Sequence, residues 1–294
     1  MANQAVQSVV SPLQQLQICF FGAGSMAEAI LRGLTETQVA APSKITVLNR
    51  QNADRLRELN GRYGVVPAIT PESRIDALSS ADIIVLGMKP KDAAEALLSL
   101  KPLLREDQML VSLIAGLSIE TMETLIGRKQ PIVRTMPNTS STIGLGATGI
   151  SFSEAVSPQG RELSLAMFGA VGLTTVVEEP LLETVTAVSG SGPAYIYYMM
   201  EAMISAGVAQ GLTQEAAREL TVQTVLGAAE MVRQTGEEPA DLRRKVTSPN
   251  GSTQAAIETL ERQQFTEAVH QAMARCADRA REMGQAIAEQ ALDR

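Results

Sequence analysis

From residue 16 to residue 178, short apolar runs alternate with stretches whose apolar positions recur at helical spacing. The runs read as strands: Gln17–Phe21, Ile45–Leu48, Val65–Ala68, Asp82–Met88, Met109–Ile114, Ile132–Met136, Thr148–Ser151 and Thr174–Val177. Between most of them the pattern predicts helices, among them Met26–Leu34, Ala53–Asn60, Ala93–Leu100 and Ile119–Leu125. Such alternation argues for a parallel sheet with right-handed crossovers. Asp82–Met88 and Met109–Ile114 are nearly continuous apolar runs, as expected of strands covered on both faces.

After Pro180 the strand pattern stops. Helices are predicted over Leu181–Val188, Ala194–Gln210, Gln214–Gln234, Ala240–Val246, Gln254–Glu261 and Thr266–Gln290. Thr213 is placed to cap the third of these. Two of the helices are apolar around most of their circumference. One carries Tyr195, Ile196, Tyr197, Tyr198, Met199, Met200, Met203, Ile204 and Val208; the other carries Leu220, Val222, Val225 and Leu226. A helix apolar all round must be covered all round. The helical half is too short to do that alone, so an obligate homo-oligomer with a helical interface is expected.

Composition narrows the partners. A net charge of −7 argues against nonspecific nucleic-acid binding, which needs a basic face. The two cysteines, Cys19 and Cys276, form no C-x-x-C pair; this fits a reducing, cytoplasmic compartment and argues against a zinc site or disulfide framework. The densest apolar run, Tyr195–Met200, ends at Glu201, well short of the roughly 20 residues a membrane span needs. Residues 1–15 are polar and Gln-rich, without the features of a signal or transit peptide, and read as a disordered extension. The single histidine, His270, excludes any mechanism built on several histidines, and no metal is expected.

Chemistry enters at the first strand. Gln17–Phe21 runs into Gly22, Ala23, Gly24, Ser25, Met26 and Ala27, a G-x-G-x-x-A turn that opens a helix. Gly22 permits the tight turn, Gly24 lets backbone approach a pyrophosphate, and Ala27 allows close helix-on-strand packing. This predicts a dinucleotide-binding, Rossmann-type doubly wound domain over residues 16–180, followed by an all-α domain over residues 181–294. The second strand ends at Asn49 and Arg50 rather than at an acidic residue, which suits the 2′-phosphate of NADP. Met88, Lys89 and Pro90, then Ala115 and Gly116, then Asn138 follow later strands. All lie at carboxyl ends, where doubly wound sheets bind ligands.

Two glycine–serine loops interrupt the helical half. In Thr186–Tyr195, Pro193 suits the first turn of a helix capped by Ser191 or Gly192. Val246–Thr253 presents successive backbone N–H groups and hydroxyls at a helix start, an arrangement suited to a carboxylate.

Across residues 16–285 the chain resembles the pyrroline-5-carboxylate reductase family. The resemblance is carried by Gly22–Ala29, Met88–Pro90, Arg134–Ser140, Thr186–Tyr195 and Thr247–Thr253, in that order. It implies NADPH, or NADH, as the reductant and reduction of a small cyclic imine to L-proline, the last step of proline biosynthesis. It implies interlaced helical homodimers, often assembled into decamers. It implies that Thr253 hydrogen-bonds the ring nitrogen, while the amides of Gly251 and Ser252, with Ser248 nearby, hold the substrate carboxylate. One departure stands out: Asn250 replaces the first glycine of the usual S-P-G-G-x-T, and Asn tolerates left-handed backbone better than most residues. Two other readings fit the layout. A β-hydroxyacid dehydrogenase-like enzyme would use a lysine within a helix of the second half, but Lys245, the sole lysine after Pro180, lies beside the loop. A non-enzymatic NADP-sensing protein would have no use for the hydroxyls and glycines of Thr247–Thr253.

Overall fold

The computed structural model describes residues 11–292. Residues 1–10 of the expected extension lie outside the described residues. Residues 11–15 do not fit that expectation. The Ser11 hydroxyl accepts a hydrogen bond from the Leu13 N–H, and Pro12–Gln15 forms a 3-10 turn that buries Leu13 completely. One apolar side chain in a polar run is enough to tie this segment to the core.

The elements of the first half alternate strand and helix except between β6 and β7: β1 (Ile18–Phe21), α1 (Ser25–Glu36), β2 (Ile45–Leu48), α2 (Ala53–Tyr63), β3 (Val66–Pro67), α3 (Pro71–Ser80), β4 (Ile83–Leu86), α4 (Ala93–Leu100), β5 (Met109–Ser112), α5 (Ile119–Ile126), β6 (Ile132–Met136), β7 (Gly146–Phe152), α6 (Pro158–Gly169) and β8 (Gly172–Val176). They build one sheet in the order β3-β2-β1-β4-β5-β6-β7-β8. The first six strands are parallel, and β7 runs antiparallel to β6. A purely parallel sheet was the expectation. Residues 137–145, which join β6 to β7, hold no α-helix and are too few for a crossover, so the chain turns back on itself. β8, reached through α6, pairs parallel with β7.

Both faces of the sheet are covered. Ile18, Phe20, Ile83, Val85 and Val111 point into a core closed by α1, α2 and α6. Cys19, Ile84, Leu86 and Leu110 point into a second core under α4 and α5. The alternation along each strand explains the continuous apolar runs. Burial pushes the Cys19 thiol up to about 12, which leaves it neutral and unreactive. A buried ion-pair group braces the sheet beyond β5: Arg134 on β6 meets Glu179 at 3.0 Å and Glu183 at 2.8 Å. Glu179 also accepts the Ile119 N–H at the start of α5 (2.7 Å).

After β8 come α7 (Leu182–Val185) and a π turn, Thr186–Gly190. The rest is helical: α8 (Gly192–Ala209), α9 (Gln214–Thr235), α10 (Pro239–Lys245), α11 (Ser252–Arg262) and α12 (Phe265–Leu292). Two compact units result, residues 11–190 with 276–292 and residues 191–275. The expected division at 180/181 falls earlier than this. Leu182 and Val185 pack on Gly149 of β7, and Glu183 pairs with Arg134, so α7 stays with the sheet. The end of α12 also joins the first unit, its Gly284 lying against Gly116. In residues 191–275 the side chains of Ala217 and Thr221 alone are buried. Among the described residues no helix is long and apolar enough to cross a membrane.

If Leu13 is a core residue, Leu13→Ala will lower stability by about 2–5 kcal/mol. Urea or thermal unfolding of the full chain measures this; an unchanged midpoint would return residues 11–15 to the status of a dispensable extension.

Candidate active site

The turn after β1 is set by backbone crowding. Gly22 sits at φ +123° and donates to the Leu48 carbonyl of β2 (2.9 Å). A Cβ on Gly22 would lie 2.5 Å from the Gly87 carbonyl carbon, just past β4. Gly87 in turn faces Ala27: a Cβ on Gly87 would stand 3.1 Å from the Ala27 methyl. Three small residues therefore bring two strand ends and α1 together. Gly24 differs from Gly22. It caps α1 with ordinary φ −74°, and a Cβ there would meet nothing closer than 3.7 Å. No side chain caps α1, so the first-turn N–H groups beyond Gly24 are left for a ligand. An open approach to uncapped amides at a helix N-terminus fits a dinucleotide pyrophosphate.

A charged group fixes this turn from outside. Arg55 Nε of α2 donates to the Ala23 carbonyl at 3.3 Å and pairs with Glu28 of α1 and with Glu58 (2.7 Å). Glu28 also meets Arg62 at 2.6 Å and accepts the Tyr63 hydroxyl at 2.9 Å. Burial alone would raise the Glu28 carboxyl. Hydrogen bonds from Arg55 and Tyr63 and the charges of Arg55 and Arg62 outweigh it, and hold the carboxyl below the usual range. Neither Gly87 nor Arg55 was picked out from the sequence. Gly87 was detectable as a glycine ending a both-sides-buried strand. The role of Arg55 depends on tertiary pairing with residues 23 and 28, and no local signal carries it.

The remaining expected residues of this half gather along the same edge, with reasons that differ from those the sequence suggested. The Asn49 side chain is occupied: it donates to the Asn52 carbonyl (2.7 Å) and accepts the Asn52 N–H (2.9 Å), shaping the turn into α2. The Arg50 side chain is 65% exposed and reaches Glu95 at 3.0 Å and Asp92 at 3.8 Å. Met88 and Pro90 are half-buried and Lys89 is exposed. Gly116 has φ +79°, and the space a Cβ would take there is filled by the Gly284 backbone at 3.1 Å. Its missing side chain thus makes room for α12. Asn138 is a buried clamp: its amide donates to the Ser189 carbonyl (3.0 Å) in the π turn and accepts the Ala147 N–H (3.2 Å) on β7. Ala115 and Ser25 are half-buried and exposed, respectively.

The helical unit holds the second loop. Thr247 follows α10, its hydroxyl donating to the Arg243 carbonyl at 2.7 Å. Pro249 and Asn250 then form a tight turn closed by the Gly251 N–H on the Ser248 carbonyl (3.0 Å). Asn250 takes φ +59°, the left-handed conformation that suits a glycine, so the substitution at this position keeps the turn. The Gly251 amide is consumed by that bond and is not free to hold a ligand, contrary to the expectation. Gly251 caps α11 without a side-chain bond, which leaves the amides of Ser252 and Thr253 at the helix start. Ser248, Ser252 and Thr253 are all exposed. At the first loop, Ser191 occupies the cap of α8 and Pro193 its first turn, as the pattern indicated.

A doubly wound sheet whose glycine turn ends in an uncapped helix, with no acidic residue closing β2, defines a nicotinamide-dinucleotide oxidoreductase. Comparison with known proteins is narrower. Residues 17–116 match a family model described as NADP oxidoreductase, coenzyme F420-dependent, and residues 179–283 match one described as pyrroline-5-carboxylate reductase dimerisation. The chain is 41% identical over 278 residues to pyrroline-5-carboxylate reductase 2 of Bacillus subtilis, covering 95% of this chain and 99% of that one. A solved pyrroline-5-carboxylate reductase from Coxiella burnetii superposes with a TM-score of 0.85 at 37% identity, covering 91% of this chain and 98% of that one. An NADP-bound pyrroline carboxylate reductase from Plasmodium falciparum superposes with a TM-score of 0.81 at 27% identity, covering 92% and 99%. This chain belongs to the pyrroline-5-carboxylate reductase family.

The two glycines of the turn should separate stability from binding. Gly22→Ala adds a methyl into the Gly87 backbone and should lower the melting temperature markedly. Gly24→Ala should leave melting unchanged but weaken NADPH binding by roughly tenfold, because it fills space kept for the ligand. Thermal melts paired with NADPH fluorescence titration test this; equal effects of the two variants on both readouts would remove the distinction.

Proposed function

We propose that this chain reduces L-1-pyrroline-5-carboxylate to L-proline with NADPH, with NADH as an alternative donor, the last step of proline biosynthesis. The observation that carries the reading is the pair of uncapped helix N-termini, one behind Gly24 and one behind Gly251, in a chain of this family. Both are anion sites made of backbone. One suits a pyrophosphate and the other a small carboxylate.

The cofactor, when bound, supplies the hydride. The chain supplies position and electrostatics. Gly22 to Ala27 hold the pyrophosphate. Asn49 shapes the turn that presents Arg50 to the 2′-phosphate. Met88, Lys89 and Pro90, with Ala115 and Gly116, line the adjoining strand ends, and Asn138 braces them. The amides of Ser252 and Thr253, with the Ser248 hydroxyl, hold the substrate carboxylate. The Thr253 hydroxyl, which has no partner among the described residues, hydrogen-bonds the ring nitrogen. A protonated cyclic imine is already electrophilic, so no strong protein acid is required. That is consistent with a chain whose single histidine, His270, is exposed on α12.

The active form in this reading is a homodimer through α8 and α9, in the cytoplasm, with decamers as the larger assembly. Tyr198 is 76% exposed, Leu220 58% and Leu226 55%, an apolar face that water alone would cover in a single chain.

Two measurements follow. NADPH mixed with the protein and pyrroline-5-carboxylate should be oxidised with matching formation of proline, and Thr253→Ala should lower kcat/KM by roughly tenfold or more while NADPH affinity holds; wild-type kinetics in that variant would exclude Thr253 from the reaction. The paired change Tyr198→Asp and Leu226→Asp should shift the light-scattering mass to that of one chain; an unaltered oligomer would place the interface elsewhere.

A further inference from the structure

Arg50 forms ion pairs with Glu95 and Asp92 that no element of the fold requires. Arg50 follows β2, and Asp92 and Glu95 stand at the start of α4, which follows β4. β2 and β4 flank β1 on either side. The contacts from Arg50 to Glu95 (3.0 Å) and to Asp92 (3.8 Å) therefore span the carboxyl end of β1, where the glycine turn begins. A dinucleotide seated on that turn meets this bridge.

We propose that Glu95 competes with the cofactor 2′-phosphate for Arg50, and so limits how strongly NADPH is preferred over NADH. The proposal rests on Arg50 as the 2′-phosphate residue. A phosphate close enough to Arg50 to replace Glu95 also lies close to the Glu95 carboxylate, and like charges at that range repel. A ribose 2′-hydroxyl is neutral and bears no such penalty. The competition thus acts on the phosphorylated cofactor alone. Asn49 is no replacement for Arg50, since it is uncharged and its side chain is held in the turn by two bonds to Asn52.

The bridge is built to open. Both side chains are more than half exposed, 65% for Arg50 and 58% for Glu95, so the pair contributes little to stability and water replaces either partner readily. Glu95 lies in the first turn of α4, where a carboxylate is favoured by the helix N-terminus whether or not Arg50 is near. Releasing Arg50 therefore leaves Glu95 with favourable surroundings. Asp92, at the longer distance, is the weaker competitor.

The test compares adenosine 2′,5′-bisphosphate with adenosine 5′-monophosphate by calorimetric titration of the full chain, Glu95→Gln and Arg50→Gln. Glu95→Gln should bind the bisphosphate about fivefold more tightly, with the monophosphate changed by less than about twofold. The gain should shrink in about 1 M salt, where charges are screened within roughly 3 Å. Arg50→Gln should weaken the bisphosphate selectively. The NADPH to NADH ratio of kcat/KM should rise in Glu95→Gln by the same factor as the binding ratio. If Arg50→Gln is selective but Glu95→Gln leaves the ratio unmoved, or tightens both ligands equally, the competition is refuted and Arg50 keeps its role. If Arg50→Gln is not selective either, both assignments fall.

Discussion

At the mouth of the sheet Gly22 and Gly87 are so close that neither has room for a side chain, with Ala27 pressed against Gly87. Everything placed at the carboxyl edge depends on it. Neighbouring strands β1 and β4 diverge in connectivity at this point, β1 leading to α1 on one face and β4 to α4 on the other. A side chain at either glycine would push α1 off the strand ends. The helix N-terminus, with its unsatisfied amides, would then no longer face the crevice. The crowding at Gly22 and the emptiness at Gly24 are complementary. One fixes the turn and the other leaves room above it. The bond from Arg55 to the Ala23 carbonyl holds the intervening residue in place between them.

An acidic chain of net charge −7 that binds anionic ligands seems paradoxical only if charge is taken as a whole. In the proposed sites the ligand groups are met by backbone amides at two helix starts and by one exposed arginine. Helix termini offer partial positive charge without a titratable group. The anion sites are therefore insensitive to pH over the range in which proteins remain folded. Titratable side chains near the turn, Glu28 with Arg55 and Arg62, are neutralised by one another and serve to fix geometry.

Legibility followed physical range. The central strands β4 and β5 could be read because nearly continuous apolar runs record burial on both faces, residue by residue; the largely exposed strands β3 and β8 were legible from short β-rich runs instead. α3 and α6 fall among the helices expected between strands without being given bounds, although Thr70-Pro71 and Ser157-Pro158 are cap-and-proline starts of the kind helices use. The direction of β7 was hidden because periodicity is blind to strand polarity; what sets it is the length of the β6–β7 connection. Among site residues, the glycine turn and the serine–glycine loop were legible, since each needs specific backbone conformations in consecutive positions. Asn138 and Gly116 have structural partners that the sequence does not announce. Their partners, Ser189 and Gly284, lie far along the chain, and no local pattern announces them.

The helical unit raises a different constraint. With two buried side chains in residues 191–275, it has almost no interior of its own. α8, α10 and α11 bury none of their residues. Helices of this length are marginal without tertiary cover, yet the loop before α11 must hold Asn250 left-handed and two amides in register. That rigidity has to come from elsewhere. On the proposed dimer, the interface supplies the missing core, and the substrate loop is ordered only as far as the partner is bound. Stability and substrate affinity then depend on protein concentration together, since the folded loop is linked by mass action to association. In this proposed arrangement the carboxylate site is tied to assembly, while the dinucleotide site rests on a sheet whose two cores are complete within one chain.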